Sequence, residues 1–248
     1  MNYKTIIILA KYPQAHGVRI LGRELYLDHK KNVLGDWIRL ISPVDVFDGA
    51  IFDEHCYAIS VKNLNIFDVI LVPIKHALPR KSQPDNWLIN DADTLMVKGQ
   101  LPANITNIFL DQPKRLWQVN GRESHLLHKS DPLVNQISQS VYFIKPKNLV
   151  FYLGHSSTEG SQLHSQKVTA SFVYNNEKYQ LPVLDPKIFK MLNKQFPNIE
   201  EKDKPVCLFK QDNYYLLVSL DPLLETEGYC KSVVGVFDFD GYLQTHYK

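Results

Sequence analysis

The sequence predicts a mainly β protein with a minor α component, divided into two small modules in tandem. Three observations carry that expectation. Apolar runs of strand length recur: TIIILA at 5–10, DVILVPI at 68–74, SVYFI at 140–144 and SVVGVF at 232–237. They are rich in β-branched and aromatic residues and bounded by turn formers, as strands are. Helical periodicity is convincing in one stretch alone, so the strands are not separated by the long helices of a parallel α/β sheet, which favours small barrels or sandwiches. A polar interval, GRESHLLHKSDPLVNQISQ at 121–139, splits the strands into two series. It sets the expected boundary near 130–138, with modules at 1–135 and 136–248.

Individual elements follow from local chemistry. The stretch SQPDNWLIN at 82–90 contains Pro84, which removes a backbone donor and holds Gln83 extended, so it reads as a shaped loop entering a strand. A weaker helical pattern lies in PANITNIFLD. The segment KVTASFVYNNEKYQLPVL predicts a hairpin, because Asn175 and Asn176 tolerate the positive φ of a tight turn between half-buried strands. DPKIFKMLNKQF predicts a helix: Asp185 caps it, Pro186 suits its first position, and Ile188, Leu192 and Phe196 share a face. GHSSTEGSQLHSQ at 154–166 reads as an exposed loop and NIEEKDK at 198–204 as a solvated turn.

Composition narrows the function. With 44% hydrophobic, 22% charged and 11% aromatic residues the chain is globular, and a net charge of +2 excludes a uniformly basic coat for nucleic acid while allowing a local basic groove. Cys56, Cys207 and Cys230 form no C-x-x-C pair and are odd in number, so they are expected to be buried thiols in a reducing compartment. The stretch MNYKTIIILAKYPQ has too short an apolar run for a signal peptide or a membrane span, and the expected location is cytoplasmic.

No G-x-S-x-G elbow, P-loop, dinucleotide-binding glycine pattern or H-E-x-x-H helix occurs, so an enzyme ranks last among the functional readings and no cofactor is expected. His125, His128 and Asp131 form the one set worth testing as metal ligands if they share a helical face, although polar connectors rich in histidine are usually just solvated. Asp238 and Asp240 are explained by a turn ending in Asp-Gly.

What stands out is cationic, amide and aromatic residues placed together. Arg19 and Arg23 flank Gly22; Trp37 and Arg39 lie two apart; Lys81, Gln83, Asn86 and Trp87 crowd one loop; Lys145, Lys147 and Tyr152 follow the SVYFI strand. On a strand Trp37 and Arg39 share a face, forming either a platform for a flat or anionic ligand or a half-buried indole with the guanidinium stacked on it. Positive charge beside stacking rings is how single-stranded nucleic acid is held without base readout.

The order of these boxes resembles a family of bacterial dual OB-fold proteins associated with prokaryotic defence and conflict loci. Ile6 to Leu9 followed by Gly17, Arg19 and Gly22 is similar to its amino-terminal strand and Gly-Arg segment, with GVRI in place of Gly-Arg-Cys. Trp37 to Ser42 resembles its Trp-Ile-Arg-Pro-Val-Ser, with Leu40 for proline. Ser82 to Trp87 resembles His-Gln-Pro-Glu-Asn-Trp, with Ser82 for histidine. Lys145 to Leu149 resembles Lys-Pro-Glu-Asn-Leu; the hairpin, the Asp185-Pro186 helix start, Ser219-Leu220 and Tyr229-Cys230-Lys231 complete the series. The resemblance implies two tandem OB-like barrels and a single-stranded DNA- or RNA-binding module of a defence machine; a surface meeting a protein partner is the competing reading. On this basis Arg19, Arg39 and Lys81 are expected to contact ligand. Gln83 and Asn86, beside Trp87, either clamp the barrels together or read a base edge, with the clamp favoured for Asn86 and Trp87.

Overall fold

The computed structural model describes residues 2–14, 17–28, 31–44, 49–51, 63–117, 125–156, 165–195, 204–206, 213–222, 228–241 and 243. The first barrel comprises β1 (Asn2–Gln14), β2 (Gly17–Asp28), β3 (Lys31–Ile41), β4 (Asp68–Ala77) and β5 (Asn86–Ile89). Their lateral order is β1-β2-β3-β5-β4, and β4 returns to pair with β1, closing the barrel. β3 and β5 run parallel and the other neighbours antiparallel. That is the five-stranded Greek-key closure of an OB fold. β6 (Met96–Gln100) pairs with the Asp68–Leu71 end of β4.

Period-2 alternation fills this barrel. Ile6, Ile8, Ile20, Ile38, Leu40, Ile70 and Val72 point inward and are at most 1% exposed. Gly22 is required by the close approach of β1 and β2, since a Cβ there would lie 2.2 Å from the Ile7 carbonyl oxygen.

The second barrel repeats the plan. β8 (Val141–Ile144) and β9 (Lys147–Ser156) act as one strand bent at Pro146, with β8 on β13 (Tyr214–Pro222) and β9 on β10 (Ser165–Tyr174). β11 (Glu177–Pro182) pairs with β10, β12 (Lys204–Val206) with the other side of β9, a parallel bridge from Val183 to Val233 reaches β14 (Gly228–Asp238), and β14 pairs with β13. The expected hairpin is present, with Asn175 at φ 49° and Asn176 at φ 66°. So is the helix, α1 (Pro186–Gln195): the Lys187 amide donates to Asp185 Oδ1 at 2.9 Å, and Ile188 and Leu192 are buried in the core. Phe196 and most of the 198–204 segment lie outside the described residues. PANITNIFLD forms a 3-10 helix, Ala103–Phe109.

The interval expected to divide the modules belongs to the second one. β7 (Leu126–His128) pairs with β14, and Leu116, Trp117, Leu127 and Val134 pack in the second core. Leu116 and Trp117 thus pack with the second barrel ahead of the 130–138 boundary expected, while Leu110 packs in a cluster to which both barrels contribute. The interval is polar because β7 lies at a sheet edge and buries one side chain in three. No helix among the described residues is long and apolar enough to cross a membrane.

Candidate functional site

Strand alternation decides which side chains leave the first barrel. In β2, Arg19, Leu21 and Arg23 point away from the interior; in β3, Trp37 and Arg39 do. This is the β2–β3 outer face, the surface on which OB barrels take oligonucleotides. In this chain the second barrel covers it. Ile7, Leu9, Leu21 and Trp37 pack against Val141, Phe143, Tyr215, Leu217 and Phe237 from the outer face of β8, β13 and β14.

Arg19 and Arg39, expected as ligand contacts at open strand edges, are 2% and 0% exposed in this seam. Arg39 donates through Nη1 to Asp221 Oδ1 at 2.5 Å, through Nε to Asp85 Oδ2 at 3.2 Å, and through Nη2 to the Ser140 and Ser219 hydroxyls at 3.0 Å each. Asp221 also accepts from Arg19 Nη1 at 2.5 Å and from the Tyr12 hydroxyl at 2.9 Å. Ser140 bridges further by donating to Asp85. Ser140, Ser219 and Asp221 belong to the second barrel, so the guanidinium fork joins the two barrels. Both arginines, expected as ligand contacts, are thus engaged by the second barrel, and desolvated Arg39 is tolerated because every arm of its fork meets an acceptor.

The Gln-Pro-Asp-Asn-Trp box supplies the rest of the clamp. Gln83 Nε2 donates to the Leu220 carbonyl at 3.1 Å across the seam, the Asp85 carbonyl accepts from the Arg39 amide at 2.8 Å, and Asn86, fully buried, opens β5. Gln83 thus reaches across the seam, whereas Asn86 stays within the first barrel and donates through Nδ2 to Gln83 Oε1 at 3.4 Å. Trp87 is half-buried on the first core, with Lys4 Nζ 4.1 Å from its ring centroid. A second latch is Asp111, which accepts from Trp37 Nε1 at 3.0 Å, Arg23 Nη1 at 3.2 Å and the Phe143 amide at 2.8 Å. Arg23 also lies over the Trp37 ring, at 5.1 Å.

The seam has a pH signature. Burial pushes the Asp221 carboxyl up, but Arg39 and then Arg19 outweigh it, leaving it below the ordinary carboxylate value. A folded-state pKa below the unfolded one contributes stability above the unfolded pKa of about 3.9, and that stability is lost as pH falls through the folded value. Burial raises Asp111 despite its donors, and that group acts in the opposite sense. The parent is therefore expected to lose stability below about pH 4 more steeply than Asp221→Asn. Parallel slopes in acid urea titrations would show that Asp221 is not ion-paired in solution.

One sheet face of the second barrel is open. On β9, β10 and β11 the residues alternating with the buried Phe151, Val168, Ala170, Phe172, Tyr179 and Leu181 point outward: Val150 and Tyr152; Lys167, Thr169, Ser171 and Val173; Lys178, Gln180 and Pro182. Of the expected site residues, Tyr152 lies here, in register with Thr169, and exposed Lys147 lies beside Val173. Lys145 turns to the seam, 5.8 Å from the Tyr215 ring centroid, and Lys81 is exposed on the first barrel. The structure therefore does not gather the ten expected residues into one site. Sequence reasoning missed Lys167, Lys178 and Gln180, although the alternation of KVTASF and EKYQL puts them on one face.

His125 and His128 do not share a helical face, because Leu126–His128 is a strand and His125 lies in the bend before it. Asp131 caps the 3-10 helix Pro132–Gln136 through the Leu133 amide at 2.9 Å. Among the described residues no group of three or more metal-ligating side chains gathers. Cys230 is half-buried with its thiol pKa raised by burial; Cys56 and Cys207 lie outside the described residues.

The family model described as a dual OB-containing domain matches residues 4–236, and the chain belongs to that family. No curated protein matches it.

Proposed function

We propose that this dual OB-family member is a non-catalytic module that binds single-stranded DNA or RNA on the outer face of β9, β10 and β11. The observation that carries the reading is a contrast between equivalent faces. The first barrel's β2–β3 face is covered, whereas the matching β10–β11 face of the second barrel is open, carries Lys167 and Lys178 with Lys147 beside them on β9, and presents no carboxylate among its described outward residues. OB folds bind oligonucleotides on this pair of strands, with charge tracking the backbone and rings stacking on bases. Tyr152 is the ring in position to stack. A cytoplasmic setting inside a bacterial defence assembly is part of the proposal and is supported by the family resemblance.

Fluorescence anisotropy with short oligonucleotides at graded salt tests it. Tyr152→Ala is expected to weaken binding by about 1–3 kcal/mol, and Lys178→Ala to weaken it for all sequences while flattening the salt slope by about 0.7. Absence of binding at low salt, or parental binding by both variants, would discard the proposal.

A protein-binding reading is favoured by one separate feature. β6 ends its sheet with all five residues exposed, including Met96 and Val97, and offers its outer edge to an added strand. A partner whose capture is lost when Pro replaces Lys98, with oligonucleotide binding absent, would support that reading.

A further inference from the structure

We infer that the His125 end of the open face is a phosphate-binding pocket that holds one phosphate group of the bound strand, a reading that rests on the function proposed above. A cavity of about 260 Å³ opens there, lined by His125, Lys167, Thr169, Gln180 and Pro182. Three elements build it. Lys167 and Thr169 are two apart on β10 and share its outer face; Pro182 lies opposite Thr169, and Gln180 is two before it on β11; His125 enters from the segment leading into β7. Its backbone carbonyl is fixed by the Lys231 amide of β14 at 2.7 Å.

The lining chemistry selects the ligand. Lys167 offers an ammonium, Gln180 an amide N–H, Thr169 a hydroxyl and His125 an imidazole N–H, so the lining supplies donors of four kinds and holds no carboxylate. Lys167 makes no ion pair with a described residue and is exposed at the rim. The volume falls below the roughly 300–1,000 Å³ of pockets that enclose a whole drug-sized ligand, which suits a phosphate with part of its sugar. The field is positive as well: burial, then Lys167 on β10 and Lys231 on β14, hold the His125 pKa below its ordinary value. Asp131 acts on Lys231, whose own pKa burial lowers to about 8. An anion seated among these groups would relieve the repulsion. Lys178 lies at the far end of the same face, six residues along β10 from the Lys167 level by its pairing with Val173, or roughly 20 Å, so a strand laid along β10 meets a cation at each end.

The test uses the full chain and two probes. Inorganic phosphate is titrated while the His125 imidazole resonance, assigned with His125→Gln, is followed by NMR; the same titration is run on Lys167→Ala and on Lys178→Ala. Saturable movement of the His125 resonance, an upward shift of its titration midpoint, and a Kd at least about tenfold weaker in Lys167→Ala but unchanged in Lys178→Ala are expected, since one charge-assisted contact is worth about 1.5–3 kcal/mol. An unmoved His125 resonance, or equal binding by Lys167→Ala, would overturn the pocket. With oligonucleotides, Lys167→Ala should reduce the salt slope by about 0.7, and inorganic phosphate should compete. If oligonucleotides bind with the parental slope in Lys167→Ala, the pocket fails and the open-face function stands. If phosphate binds through Lys167 but oligonucleotides do not bind the parent, the functional reading fails and the ligand is a free phosphate instead of a strand.

Discussion

Arg39→Ala is expected to lower the unfolding free energy by about 3–5 kcal/mol, the loss found when one partner of a buried ion pair is removed. Arg39 is fully buried and its fork spans both barrels, so the substitution removes the counter-ion of Asp85, which keeps the Ser140 hydroxyl, and leaves the Ser140 and Ser219 hydroxyls without their common donor. Asp221 keeps Arg19, which places the loss within that range instead of above it. Arg39→Lys should recover little, because a single ammonium cannot meet Asp85, Asp221 and two hydroxyls in the directions a planar fork does. Urea denaturation reads the effect directly. If Arg39→Ala unfolds with the parent and loses oligonucleotide binding instead, Arg39 faces ligand in solution and the barrels part to admit it.

The same residue shows how far the sequence could be read. Spacing put Trp37 and Arg39 on one face of a strand, and the structure does so; alternation, however, tells only that a side chain leaves the barrel, not what it meets outside. A signal for the covering was present. TIIILA and the YYLLVSL of β13 are apolar or uncharged at both parities, the pattern of strands buried on both faces, and those are the strands whose outer residues Ile7, Leu9, Tyr215 and Leu217 form the seam. The open face has the opposite signature. In KVTASF the lysine, threonine and serine alternate cleanly with Val168, Ala170 and Phe172, which marks one wet side. Clusters of arginine and tryptophan drew attention to the covered strands because binding and buried clamping use the same residue types. The changeover between barrels was illegible for a related reason: β7 is an edge strand, so the polar composition of its surroundings resembles that of a linker.

Phe143→Ala is the second large effect, expected to cost about 3–5 kcal/mol, as large-to-small changes at fully buried aromatics do. Phe143 contributes nothing to either barrel's interior. Its ring sits in the seam among Tyr215 at 5.7 Å, Phe237 at 5.0 Å and Phe109 at 6.1 Å between centroids, and its backbone exchanges two hydrogen bonds with Asp111, donating to the carboxylate at 2.8 Å and accepting from the amide at 2.7 Å. Truncation therefore weakens the union of the barrels more than the barrels themselves. Because the Asp111 latch is held by Phe143 backbone atoms, the variant keeps the hydrogen bonds and loses the packing, which separates the apolar part of the seam from its ionic part. If the barrels fold as one unit, the denaturant midpoint falls while a single transition and its slope are kept. If the ionic clamp is what couples them, Phe143→Ala combined with Arg39→Ala splits the transition in two. A Phe143→Ala protein as stable as the parent would mean that the barrels are not packed on each other in solution. Arg19 and Arg39 would then be exposed on the first barrel's β2–β3 face, and the assignment of nucleic acid to the second barrel would lose its basis.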